Sequence, residues 1–279
     1  KADRKEKQMA AYVHCNFHSC ILRMQVDVSI LLPEKERMED VEQGKKGETF
    51  GKNKKYQTLY LLHGFTGDHL TYLRTSKIER YADEHQIMVV MPSVYNSAYT
   101  DMKYGLDYFS YLTEELTDFV ERNFPAATKR ENRFIAGMSM GGYGAYKWGL
   151  TCPEKYAGIA SLSGGFGVDI CARLNNENFY PTLGEDIFGD PEKFKGSKHD
   201  LFALAKKRKE EHTPMPKFYM WCGVDDFLIE QNREMNQTLK ELDYDYVYKE
   251  AEGDHSWKYW DVWIQDILNW IDQIRKEAD

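Results

Sequence analysis

The sequence has no long apolar run. Its longest continuous stretches, such as Leu59–Leu62 and Ile87–Met91, fall far short of the roughly 20 residues a helix needs to cross a bilayer, so a membrane-spanning helical protein is excluded. Cysteine is also scarce. Five in 279 residues is an odd number without a dense framework, which argues against a disulfide-stapled fold and for reduced thiols in a cytoplasmic setting. The first residues, Lys1 to Lys7, lack the apolar centre of a signal peptide, but a trimmed chain would lack one too, so secretion stays open. Nor is there an excess of positive charge. Against 37 basic side chains stand 45 acidic ones, a net −8, and a partner recognised through its phosphates requires Lys and Arg. Nucleic acid is set aside as a partner. Neither internal repeats nor low-complexity tracts are present.

What is present suits a folded enzyme. Hydrophobic residues at 42% and charged ones at 29% can bury a substantial core, and six Trp and 19 Tyr either fill it or line a pocket for flat or sugar-like ligands. Apolar β-rich runs alternate with longer helical patterns, the signature of an α/β protein with a mostly parallel central sheet flanked by helices. An opening antiparallel pair is expected over Tyr12–His18 and Gln25–Leu32. Six parallel strands follow at Leu59–Leu62, Ile87–Met91, Arg133–Ala136, Ala157–Leu162, Lys217–Trp221 and Tyr244–Lys249. Apolar positions at Leu112, Leu116, Phe119 and Val120 predict an amphipathic helix over Asp107–Asn123, and further helices are expected at Tyr143–Leu150, Ile229–Leu242 and Trp257–Arg275. The polar stretch 34–57 reads as a surface loop. Residues 164–216 read as a short inserted cap with a helical piece near Asp200–Lys209, its apolar content too thin for a core of its own.

The strongest local signal is Gly137-Met138-Ser139-Met140-Gly141-Gly142, a G-x-S-x-G pattern after an expected strand and before an expected helix. A nucleophile there stands on a tight turn that glycines on either side make room for. A serine hydroxyl is a weak nucleophile at neutral pH, so it needs a histidine base and a carboxylate that fixes the histidine's tautomer, in the order Ser, acid, His. His255, in the turn Gly253-Asp254-His255 after the last strand, meets the first requirement. Asp225 and Asp226, after Lys217–Trp221, are the candidate acids, and Asp254 is read as a turn-former. Two backbone N–H groups should hold the developing oxyanion, from Met140 and from Phe65 in the His63-Gly64-Phe65 loop.

Together, His63-Gly64-Phe65-Thr66-Gly67, the Ser139 elbow, Gly223-x-x-Asp226-Phe227-Leu228 and Gly253-Asp254-His255-x-Trp257 resemble the esterase D and tributyrin esterase branch of the α/β-hydrolases. The likeness runs from about Tyr12 to Trp270. In that family's pattern the acid directly precedes the Phe-Leu pair, which selects Asp226. The resemblance implies an α/β-hydrolase fold and hydrolysis of short acyl esters, S-formylglutathione, or acetyl and feruloyl groups on plant polysaccharides. S-formylglutathione hydrolases typically carry a cysteine after the first oxyanion donor, whereas Phe65 here is followed by Thr66-Gly67-Asp68-His69. That departure disfavours the thioesterase reading.

Two other readings are weaker. His14, Cys15, His18 and Cys20 are metal-ligand types in a short span, but a strand would turn Cys15 away from the other three and no second cluster completes the set, so no metal is expected. A catalytically dead hydrolase serving as a binding module is disfavoured by the intact Ser139, Asp226 and His255. The sequence therefore predicts one domain over 1–279, since no cut between the three residues leaves a working unit. Its predicted activity is a cofactor-free serine carboxylesterase for acetyl to butyryl esters of small molecules or oligosaccharides, with His63, Tyr143, Phe227 and Trp257 flanking the substrate. A homo-oligomer stays open.

Overall fold

The computed structural model describes residues 10–33, 55–175, 178 and 180–278. The loop expected over 34–57 lies almost entirely outside these residues. Among the described residues, eight strands form one sheet in the order β1-β2-β4-β3-β5-β6-β7-β8. They are β1 (Ala11–Ser19), β2 (Met24–Leu32), β3 (Thr58–Leu62), β4 (Met88–Pro92), β5 (Arg133–Met138), β6 (Gly158–Leu162), β7 (Lys217–Gly223) and β8 (Tyr246–Ala251). The β1–β2 and β2–β4 pairings are antiparallel and all others are parallel. All eight expected strands form, with ends shifted by one or two residues.

The inner strands are buried along their whole length because helices cover both faces. Alternation along each strand divides its side chains between two cores. Leu59, Leu61, Phe134, Ala136, Tyr219 and Trp221 face one of them, with residues of α1 (Thr71–Thr75), α2 (Ile78–Glu84) and the C-terminal helix. Tyr60, Leu62, Ile135, Ile159, Phe218 and Met220 face the other. The segment expected as one helix over Asp107–Asn123 is in three parts: α3 (Tyr108–Ser110), a π-helical stretch Tyr111–Leu116, and α4 (Thr117–Asn123). The Thr117 side-chain hydroxyl also donates to the Leu112 carbonyl five residues back at 2.9 Å, and the widened turn is not revealed by a 3.6-residue pattern. Leu112, Leu116 and Val120 are buried as the spacing predicts.

The remaining helices are α5 (Met140–Thr151), α6 (Ile170–Leu174), α7 (Leu183–Phe188), α8 (Leu201–Glu210), α9 (Ile229–Glu241) and α10 (Trp257–Ala278). Asp200 caps α8 by accepting from the N–H groups of Phe202 and Ala203. On α10, Trp260, Ile264, Ile267, Leu268, Ile271 and Ile274 recur at three- and four-residue spacing and are buried against the sheet. Apolar residues of the segment 164–216 pack on the rest of the chain. Cys171, Ile187, Phe188, Phe194, Leu201 and Ala205 all join the main core.

Candidate active site

Ser139 stands between β5 and α5 at φ 55°, ψ −118°, a left-handed conformation that costs a non-glycine residue on the order of 1–3 kcal/mol. The turn is held from outside. The Ser139 N–H donates to the Leu162 carbonyl on β6 at 2.8 Å. Two glycines permit the close approach: a Cβ on Gly137 would lie 2.2 Å from the Gly141 carbonyl oxygen, and one on Gly141 would lie 2.2 Å from the Leu62 oxygen at the end of β3. Ser139 occupies the N-cap position, yet its side chain makes no capping hydrogen bond, which leaves its hydroxyl free for another partner.

That partner is His255. Its Nε2 lies 2.9 Å from Ser139 Oγ, and its Nδ1 lies 2.9 Å from Asp226 Oδ2 and 3.0 Å from Oδ1. Donation from Nδ1 to the carboxylate leaves the Nε2 lone pair facing the serine hydroxyl, the arrangement needed to accept its proton. The Asp226 side chain has no solvent exposure, and its Oδ1 also accepts from the Leu228 N–H at 2.9 Å. Asp225 is exposed and its N–H is bonded to the Gly253 carbonyl, so the adjacent carboxylates diverge as expected. Trp260 sets the edge of the imidazole, its ring 4.8 Å away at 88°, while its indole N–H donates to Ser163 Oγ at 3.1 Å. Phe227 covers the ring from another side at 4.5 Å.

A cavity of about 390 Å³ opens at Ser139, lined among others by Phe65, Met140, Tyr180, Phe227 and Leu228. Met140 opens α5, where the first N–H groups lack intrahelical partners and the helix dipole favours negative charge. Both expected oxyanion donors thus border the same space as the hydroxyl. Of the four residues expected beside the substrate, only Phe227 lines it, and 68% of its surface is exposed. His63, Tyr143 and Trp257 do not line it. His63 is buried behind the loop, donating from Nδ1 to the Gly64 carbonyl at 2.7 Å and accepting from the Val94 N–H at 3.1 Å, and burial pushes its pKa down to about 4. Tyr143 faces the opposite side of α5, its hydroxyl on the His199 carbonyl. Trp257 packs edge-on against Tyr72 and Trp260. Proximity to a motif in sequence does not fix the side-chain direction, and a helix rotates each successive side chain by about 100°.

Sequence reasoning missed most of the opposite wall: Gly165, Ile170, Arg173, Leu174 and Gln231. Arg173 Nε bonds Asp169 at 2.5 Å, and Gln231 Oε1 accepts from the Gly167 N–H at 2.7 Å. The only signal was the lapse in β/α alternation after Gly164. It marks where a wall is inserted without naming which side chains face inward.

The family model described as "Putative esterase" matches residues 26–271. The chain belongs to this esterase family. An acetyl esterase of Caldicellulosiruptor saccharolyticus is 33% identical over 273 residues, covering 95% of this chain and 99% of that protein. Two Staphylococcus aureus structures, the fluorophosphonate-binding serine hydrolase FphF and the S-formylglutathione hydrolase FrmB, are each 36% identical over 95% of this chain and 99% of theirs, with TM-scores of 0.84 and 0.82. A ferulic acid esterase at 21% identity shares the fold, with a TM-score of 0.76. This esterase is a carboxylic ester hydrolase of the α/β-hydrolase fold, and among its described residues no helix is long and apolar enough to cross a membrane.

Proposed function

We propose that this esterase cleaves short-chain acyl esters, acetyl to butyryl, of small or saccharide alcohols through a Ser139–His255–Asp226 triad and an acyl-enzyme. The observation that carries the reading is the continuous hydrogen-bonded row from Asp226 through His255 to Ser139 Oγ, ending at the cavity. His255 Nε2 takes the proton as Ser139 Oγ attacks the ester carbonyl, and buried Asp226 stabilises the imidazolium without itself taking a proton. The N–H groups of Phe65 and Met140 hold the tetrahedral oxyanion. His255 then protonates the departing alcohol. Water, deprotonated by the same nitrogen, attacks the acyl-Ser139 carbonyl and releases the acid and the free serine, so no cofactor is consumed.

A cavity of about 390 Å³ sits at the lower end of the range for small-ligand sites, roughly 300–1,000 Å³. It suits a short acyl group together with part of a ring-sized alcohol. Tyr180 and Phe227, both partly exposed at the cavity, offer ring faces to a sugar. The acetyl esterase relative favours acetyl as the acyl group. The test is a panel of nitrophenyl acetate to decanoate, acetylated xylo-oligosaccharides, feruloyl esters and S-formylglutathione, run on wild type and Ser139→Ala. Preference for acetyl or butyryl oxygen esters, lost in Ser139→Ala, is expected. Equal turnover of decanoyl and acetyl esters, or faster cleavage of S-formylglutathione, would overturn the substrate assignment.

A further inference from the structure

One set of side chains, on the opening hairpin and the loop packed against it, lies outside the cavity lining at Ser139. His14 on β1, Asp27 on β2 and His69 in the loop beyond β3 each offer a ligand atom, and the three atoms lie within 4.8 Å of one another. Among the described residues no other group of three His, Cys, Asp or Glu side chains converges in this way. The sheet register explains the first two. His14 pairs with Ser29 and Asn16 with Asp27, so all four side chains share one face of the hairpin. Cys15 lies on the other face, and the convergence recruits neither His18 nor Cys20.

We infer that His14, Asp27 and His69 form a divalent-cation site of the two-histidine, one-carboxylate type, taking zinc or a neighbouring first-row metal such as cobalt or nickel. The donor set, two imidazoles and one carboxylate, is the set these borderline metals prefer over calcium or magnesium. Outer partners orient each buried or half-buried ligand. His69 Nδ1 is 2.7 Å from Ser29 Oγ, which is in turn 3.2 Å from the Tyr12 hydroxyl. When Nδ1 donates to Ser29, Nε2 carries the free lone pair. The Asn16 amide donates to Asp27 Oδ1 at 2.9 Å, and the Ser93 N–H donates to the Asp27 carbonyl at 3.1 Å. His69 is 9% exposed and fixed through its own N–H to Ser93 Oγ. His14 is the adjustable member, with 47% of its side chain exposed and its Nε2 2.8 Å from Asp27 Oδ1.

The geometry also says what must move. The two imidazoles are stacked, 4.9 Å between centroids and 13° between planes. A metal about 2.0–2.1 Å from each ring nitrogen lies near both ring planes, so the stack must open and the donors must draw together. Rotation of the exposed His14 side chain on its edge strand accomplishes both without moving His69. The three protein ligands leave at least one coordination position to water. Binding would fasten the β1–β2 hairpin to the loop that follows the Phe65 turn, and the site does not depend on the Ser139 assignment.

The experiment is calorimetric titration of chelator-treated, full-length wild type with zinc chloride, repeated with cobalt chloride while recording visible absorption. One equivalent of zinc at micromolar or tighter affinity is expected, with cobalt spectra free of the intense thiolate charge-transfer band. His69→Ala and Asp27→Asn should each weaken binding at least tenfold, and His14→Ala likewise, while Cys15→Ser and Cys20→Ser leave it unchanged. Ser139→Ala should bind as wild type does, which separates this site from the fate of the esterase reading. Circular dichroism of each variant identifies loss of fold, and His14→Gln, at an exposed position, keeps the test usable if His69→Ala does not fold. Absence of stoichiometric binding in wild type, or binding that survives the His14 variants, would overturn the site.

Discussion

At the scale of single residues, the site depends on groups held where water would otherwise compete. Asp226 is enclosed, His255 is gripped between Phe227 and Trp260, and Ser139 is kept at a strained backbone angle. Ser139→Ala should lower turnover of nitrophenyl acetate by about 10⁴–10⁶ with an unchanged circular dichroism spectrum. Asp226→Asn should cost about 10⁴, because an amide that donates to Nδ1 enforces the wrong imidazole tautomer. His63 has a different role, as a neutral clamp between the loop bearing Phe65 and the chain after β4. Burial lowers its folded pKa to about 4 from 6.5, so between these values the unfolded chain binds the extra proton. Its stabilising contribution is therefore complete above pH 6.5 and lost as the pH falls toward 4, on the order of 3 kcal/mol in total. Urea midpoints of wild type measured from pH 7 to pH 4 should fall more steeply than those of His63→Asn.

At the scale of elements, strands and loop order were legible in the sequence, while side-chain direction was not. Short apolar runs bounded by turns locate β3 to β7 because strands buried on both faces need nothing else. The G-x-S-x-G turn, the acid loop and the Gly-Asp-His turn each follow a strand, so chain order alone brought Ser139, Asp226 and His255 together. The choice between Asp225 and Asp226 came from family resemblance, and the exposure of Asp225 agrees with it. Tyr143 and Trp257 fall outside the cavity lining, which the sequence does not reveal because the turn geometry ahead of α5 and α10, which sets each helix's rotation, has no sequence period. The π-helical stretch was hidden for a similar reason: it keeps the same buried residues while widening the backbone turn. One contact between elements is itself testable. A Cβ on Gly223 would meet the Gly253 carbonyl oxygen at 2.1 Å, so Gly223→Ala must push the acid loop away from the histidine turn. With a displacement near 1 Å, kcat should fall about 10²-fold while the protein stays folded, and steady-state kinetics beside circular dichroism will show it.

At the scale of the whole molecule, a net charge of −8 surrounds a mostly apolar cavity. Long-range repulsion should slow the encounter with anionic esters, and salt should relieve it within a Debye length of about 10 Å at 0.1 M. Raising ionic strength from 10 to 200 mM is expected to increase kcat/KM for a carboxylate-bearing ester and leave that for a neutral isostere unchanged. Equal salt responses would count against it. The backbone contact of Gly141 with the end of β3 has a consequence for how this fold can diversify. Because Leu62 and Gly141 touch without intervening side chains, the loop bearing Phe65 and the helix bearing Met140 behave as one rigid jaw that repacking cannot retune. Adaptation to new substrates should therefore fall on the other lining side chains, Ile170, Arg173, Leu174, Tyr180, Phe227 and Gln231. Laboratory selection for a longer acyl group should accumulate its changes there and spare the glycines of the rigid side.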